Sequence, residues 1–151
     1  MTEYYFDDPE NRKHLKEILD GWIGTPWRHH SGVKGMGCDC IHFVARVFEE
    51  MGILIWRKDL FPHYPRDWHM HDTRELLAES IEKEAKVEKV GLENLMDGDI
   101  ILSHYGKAAS HAAIIFDGYV YQSVTRIGVM KINFKDKLFQ RQMRFAYRLL
   151  K

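Results

Sequence analysis

SHAAIIFDGYVYQSV, residues 110–124, is a β-hairpin written out in sequence. Asp117-Gly118 separates two apolar runs, and Asp-Gly in that setting marks a two-residue turn that demands positive φ at both positions. With Asp117 and Gly118 as the loop, Phe116 faces Tyr119, and the sum of paired residue numbers stays constant moving outward. Ala113 then falls opposite Gln122, and His111 opposite Val124. His111 and Gln122 share a face as diagonal neighbours, about 7–8 Å apart at the backbone and within reach of long side chains.

Outward from the hairpin, DGDIILSH (97–104), IGVMKINF (127–134) and MRFAYRLL (143–150) are further short β-rich runs bounded by turn residues. In the last of them Met143, Phe145, Tyr147 and Leu149 alternate inward, leaving Arg141, Arg144, Arg148 and Lys151 as an outer basic face. The first half of the chain carries the helical period instead. Residues 9–21 place Leu15, Ile18 and Leu19 on one side, and residues 73–86 read as another amphipathic helix. Between Cys38 and Gly52, the residues Cys40, Phe43, Val44, Val47, Phe48 and Met51 recur at three-and-four spacing, with Gly52 as the stop. The pattern predicts an α+β fold: N-terminal helices, including one that starts at the cysteines, packed on one side of a C-terminal antiparallel sheet of about five strands.

At 151 residues the chain is expected to form one domain, residues 1–151. Lys plus Arg and Asp plus Glu are 22 each, so no net field draws it to nucleic acid or to anionic lipid. No run approaches the roughly 18–20 apolar residues of a membrane helix, and the N-terminus lacks the cationic and apolar regions of a secretory signal. Synthesis in the cytoplasm is the expectation. The two cysteines, Cys38 and Cys40, stand too close to staple a fold, which leaves core thiol, metal ligand or nucleophile. Residues 56–72, interrupted by Pro62 and Pro65, read as a long loop that would face a partner or cover a cleft.

Cys40 falls on the apolar stripe and in the first turn of its helix. A free cysteine there is an ordinary small core side chain. The same position also suits a nucleophile, because unpaired amides at a helix start stabilise thiolate and hold a substrate oxyanion. His111 as base, with Gln122 accepting from its ring to fix tautomer and direction, completes a nucleophile–base–orienter set.

WIGTPWRHHSGVKGMGCDCIHFV (22–44), MDGDIILSH (96–104) and the hairpin resemble, in order, the three signature blocks of NlpC-type cell-wall cysteine peptidases. GTPWRHH…GCDC followed by YPRDW is most similar to the branch carried by prophages and gene-transfer agents, whose members are tail-associated peptidoglycan peptidases. The resemblance implies a papain-like fold and cleavage of amide bonds in peptidoglycan stem peptides, beside a D-γ-glutamyl residue. It implies Cys40 as nucleophile, His111 as base and Gln122 as the third polar residue, where many members have His. Neither a metal nor an organic cofactor is expected. The expected partners are a stem peptide and phage-tail-like assembly proteins, with the product tail-associated or released to the wall. Asp39, Trp27 and His42 are the expected substrate contacts. Two of these depart from the pattern: Trp27 stands where Tyr is common, and Ile41 and His42 replace the usual small pair.

Two other classes are open at this level. A non-catalytic relative would serve in tail assembly or wall binding. A zinc-binding module would use His29, His30, Cys38 and Cys40, although Cys-x-Cys and adjacent histidines are uncommon ligand spacings.

Overall fold

The computed structural model describes residues 3–57, 59–61, 75–104 and 109–151. Helix α1 (Pro9–Trp22) opens with Asp8 accepting from the Glu10 amide and with Pro9 at its first position, where a missing N–H costs nothing. Two short strands, β1 (Gly32–Val33) and β2 (Gly37–Cys38), pair antiparallel and lead into α2 (Cys40–Glu50). Helix α2 therefore begins at Cys40, not at Cys38: Asp39 is extended and caps the helix, and Cys38 belongs to a strand. Its end matches the sequence. Gly52 has φ +79°, its amide bonds Glu49 O at 2.9 Å, and Ile53 N bonds Phe48 O at 2.9 Å, the paired bonds of a glycine-terminated helix. Helix α3 (Leu76–Glu84) follows, shorter than the predicted 73–86; residues 73–74 and most of the 56–72 loop lie outside the described residues.

The sheet has six antiparallel strands in the order β3-β8-β4-β5-β6-β7: β3 (Val87–Val90), β4 (Ile100–His104), β5 (Ala109–Phe116), β6 (Tyr119–Val124), β7 (Gly128–Asn133) and β8 (Met143–Leu149). Five were expected. The sixth, β3, is a four-residue edge strand of charged and half-buried residues that carries no alternating apolar signal. At the β5–β6 turn Asp117 and Gly118 have φ +50° and +79°, the conformation Asp-Gly predicts.

Leu102, Ala112, Ile114, Phe116 and Tyr121 pack with Leu15, Leu19, Trp22, Phe43, Val44 and Phe48 in the main core under α1–α3. The helices are not all on one side. A short helix α4 (Lys137–Gln142), capped by Asp136, sets Phe139 against Ile101, Ala113, Ile115 and Val120 in a second, smaller cluster. Arg141 accordingly lies in α4 and not on the last strand. Arg148 is no solvated charge either: it grips both oxygens of buried Asp99, Nε at 3.0 Å and Nη2 at 2.9 Å. Asp99 also accepts from the Met96 amide at 2.8 Å, tying the turn before β4 to β8. Asp99→Ala leaves that guanidinium uncompensated at 11% exposure, and should cost about 3 kcal/mol in urea unfolding. Among the described residues no helix is long and apolar enough to cross a membrane.

Candidate active site

The β5–β6 ladder ends early. Registered pairs run from Phe116↔Tyr119 to Ile114↔Tyr121, and the expected pairs Ala113↔Gln122 and His111↔Val124 do not form. Each strand keeps its outer neighbour: β5 pairs with β4 as far as Ala109, and β6 with β7 as far as Val124. The 38–40 segment makes contacts on both sides of the opening. The Ser123 hydroxyl donates to Cys38 O at 2.8 Å, and the Cys38 thiol meets Ser123 Oγ at 3.7 Å. On the other side the Cys40 thiol contacts Ser110 O at 3.7 Å.

His111 and Gln122 meet across this opening, with His111 Nε2 and Gln122 Oε1 2.6 Å apart. Both are buried, at 7% and 5% exposure, so neither is the solvent-facing strand residue that its sequence position also permits. With Oε1 accepting, Nε2 carries the hydrogen and Nδ1 is the basic nitrogen. The Gln122 amide group points its nitrogen at Met130 Sδ, 3.7 Å away on β7, which sets the direction of the oxygen.

Burial holds His111 below the ordinary imidazole value of 6.5, and the Gln122 hydrogen bond offsets this only in part. Burial and the neighbouring Asp39 carboxylate push the Cys40 thiol up to about 12, against amides of Ala112, Ile41 and Cys40 that favour thiolate. The resting pair is a neutral thiol and a neutral imidazole. Cys38, fully buried, is pushed up to about 11 and faces Ser123 rather than the opening.

Trp27 is half-buried, bridged to Cys38 at the rim, with its ring 6.3 Å from that of His29. Asp39 and His42 are 4% and 1% exposed, and His42 Nδ1 lies 2.7 Å from Asp39 Oδ1. In the free protein these two side chains are bonded to each other in the interior. Ser103, which sequence reasoning passed over, lies directly opposite His111 on β4, fully buried and with its hydroxyl unpartnered. The carbonyl of Ser110 and the amide of Ala112 were also missed, since backbone groups leave no residue-type signal. The four residues of the zinc alternative do not converge, because Cys38 turns to β6 and Cys40 to β5. Among the described residues no three His, Cys, Asp or Glu side chains form a metal-holding group.

The NlpC/P60 family model matches residues 24–148, spanning both the thiol-bearing segment and the hairpin. The chain belongs to the NlpC/P60 family. Its fold is that of solved NlpC/P60 structures. One, from Staphylococcus aureus Mu50 and described as similar to lipoprotein, is 18% identical with a TM-score of 0.69. The alignment covers 100% of this chain and 45% of that one. A second, from Bacillus cereus ATCC 10987, is 21% identical with a TM-score of 0.65, covering 93% of this chain and 40% of that one. The peptidoglycan hydrolase RipB of Mycobacterium tuberculosis is 16% identical with a TM-score of 0.64, covering 95% of this chain and 66% of that one. The chain thus spans less than half the length of the first two NlpC/P60 structures. No curated protein matches it by sequence. The α+β architecture expected from the hairpin and the helical stripe, and the papain-like fold implied by the resemblance, are the ones observed.

Proposed function

We propose that this NlpC/P60 protein is a cysteine peptidase that hydrolyses amide bonds in peptidoglycan stem peptides, beside a D-γ-glutamyl residue. The observation that carries the reading is the 2.6 Å His111–Gln122 hydrogen bond, made on the strand whose Ser110 carbonyl the Cys40 thiol touches. Family membership and the likeness to solved peptidoglycan hydrolases support the substrate class. The form of the GTPWRHH…GCDC block supports a tail-associated member delivered to the cell wall.

In this mechanism His111 Nδ1 takes the thiol proton as Cys40 Sγ attacks the carbonyl carbon. Asp39 Oδ1 already occupies the His42 amide, which leaves the amides of Cys40 and Ile41, the ones that favour the thiolate, to hold the oxyanion once sulfur has bonded carbon. The imidazolium, still bonded to Gln122, gives its proton to the leaving amine. Water then attacks the thioester with His111 as base, releasing the carboxylate and restoring the thiol. Gln122 orients the ring without supplying charge. Half-buried Trp27, bridged to Cys38, is the side chain we propose to meet the peptide.

Incubation with defined stem peptides, followed by intact-mass analysis and amine detection, should show amine release and a Cys40-linked acyl-enzyme. Absence of both defeats the reading. A pH profile adds a second check. The base must be neutral, and burial keeps His111 neutral below the usual range, so kcat/KM should rise along a limb whose midpoint lies below 6.5. A midpoint above that value would assign the limb to another group.

A further inference from the structure

Asp39 stands one residue before the thiol, and its charge works against the chemistry proposed for Cys40. A buried carboxylate beside a sulfur disfavours thiolate, and Asp39 adds to the burial that pushes that thiol up. Asp39 is nonetheless the cap of α2, so its carboxylate has to be accommodated rather than removed. Among the described residues three donors hold it: the His30 amide at 2.8 Å on Oδ2, the His42 amide at 3.0 Å and the His42 ring at 2.7 Å on Oδ1. Two of the three belong to His42.

His42 sits at the third position of the helix, where its ring folds back over the cap. Around it pack the rings of His30 (4.9 Å between centroids), Phe61 (5.2 Å) and Trp56 (6.2 Å). A methyl group added at Gly32 would come within 3.1 Å of His42 Cβ, so strand β1 closes directly on this side chain. Arg46, one turn further along, is committed elsewhere: Nε donates to Gly32 O at 2.6 Å, and its guanidinium lies 3.6 Å from the Trp56 ring centre. The titratable and charged groups described around the pair are therefore His30, packed against the ring, and Arg46 beyond it; the charged group described as acting on the sulfur is Asp39.

We propose that His42 is a positioning residue for Cys40: its ring N–H, bonded to Asp39 Oδ1 inside the core, turns the cap carboxylate into the helix start and spreads its charge away from the sulfur. A neutral donor in a low-dielectric site suffices, because the ring N–H adds a side-chain hydrogen bond to a carboxylate otherwise held by the His30 and His42 backbone amides, and so further reduces the field it projects at its neighbour. A bulky histidine where the family has a small residue is then a functional partner of Asp39, not an obstruction in the cleft. The inference rests on Cys40 being the nucleophile.

The test measures alkylation of Cys40 by iodoacetamide against pH, in a Cys38→Ala background so that mass reports one site. His42→Phe keeps the ring and removes the donor. Its alkylation midpoint should move up by about one pH unit, which makes labelling about tenfold slower on the rising limb. His42→Asn, whose amide can donate from the place of Nδ1, should restore most of the rate even though it packs less well. A packing role predicts the opposite order, with His42→Phe normal and His42→Asn impaired, and that order overturns the proposal. Should His42→Phe fail to fold, the native chain serves: the His42 Nδ1 proton resonance should shift when Cys40 is alkylated, and an unmoved resonance overturns the proposal. If Cys40 in the parent protein does not label at all, the nucleophile reading falls, and this inference with it. A normal His42→Phe profile defeats the inference alone.

Discussion

Cys40→Ala should lower hydrolysis of stem peptides by about 10⁴-fold or more, because it removes the sulfur proposed to form the covalent intermediate. The substitution removes one atom that touches Ser110 O and leaves the cap bonds of Asp39 intact, so α2 should still start where it does. The control is Cys38→Ala. That thiol is fully buried against Ser123, so its loss should appear as reduced stability with turnover retained once the protein is folded. Amine release and a melting curve on both variants separate the roles. Full turnover in Cys40→Ala would remove Cys40 as the nucleophile, and no amine release from either the parent protein or Cys40→Ala would make the chain a non-catalytic member of the family.

His111→Ala should be nearly as damaging, about 10³-fold or more in kcat, since the thiol, pushed up to about 12, is protonated at neutral pH without a base. Gln122→Leu should cost less, about tenfold to a hundredfold, because it frees the ring without removing it. A stability measurement gives independent access to the same residue. His111 is buried neutral with a folded value below its unfolded one, so above pH 6.5 neither state takes the proton and its contribution is fully present. As pH falls below 6.5, the unfolded chain binds the proton first and that stability is lost. His111→Ala should therefore show a weaker loss of stability between neutral and mildly acidic pH. An unchanged acid slope would mean that His111 is not held neutral in the fold.

Much of this was legible because the signals are local. Asp117-Gly118 demands positive φ, Gly52 ends a helix by the same freedom, and the α2 stripe repeats at the helical period. The misses have equally specific causes. Strand β3 is an edge of alternating charge that pairs only because Leu149, Arg148, Tyr147 and Ala146 are laid beside it. Helix α4 is six residues long, too short for a periodic signal. The basic alternation at the C-terminus looked like a wet face, yet Arg148 is turned inward by a partner 49 positions away.

The hairpin register brought His111 and Gln122 together on paper, and they do meet, but not along the ladder from which they were inferred. By itself the sequence determined the turn and the helix that carries Cys40, because each depends on residues close along the chain. Tertiary structure decided that β5 and β6 part after Ile114↔Tyr121, that the 38–40 segment contacts both sides of the opening, and that His42 closes on Asp39 beneath it. Those outcomes hinge on which backbone groups find partners once the helix start is pressed against the sheet. Every residue offers the same N–H and C=O, so no pattern of side chains records the choice.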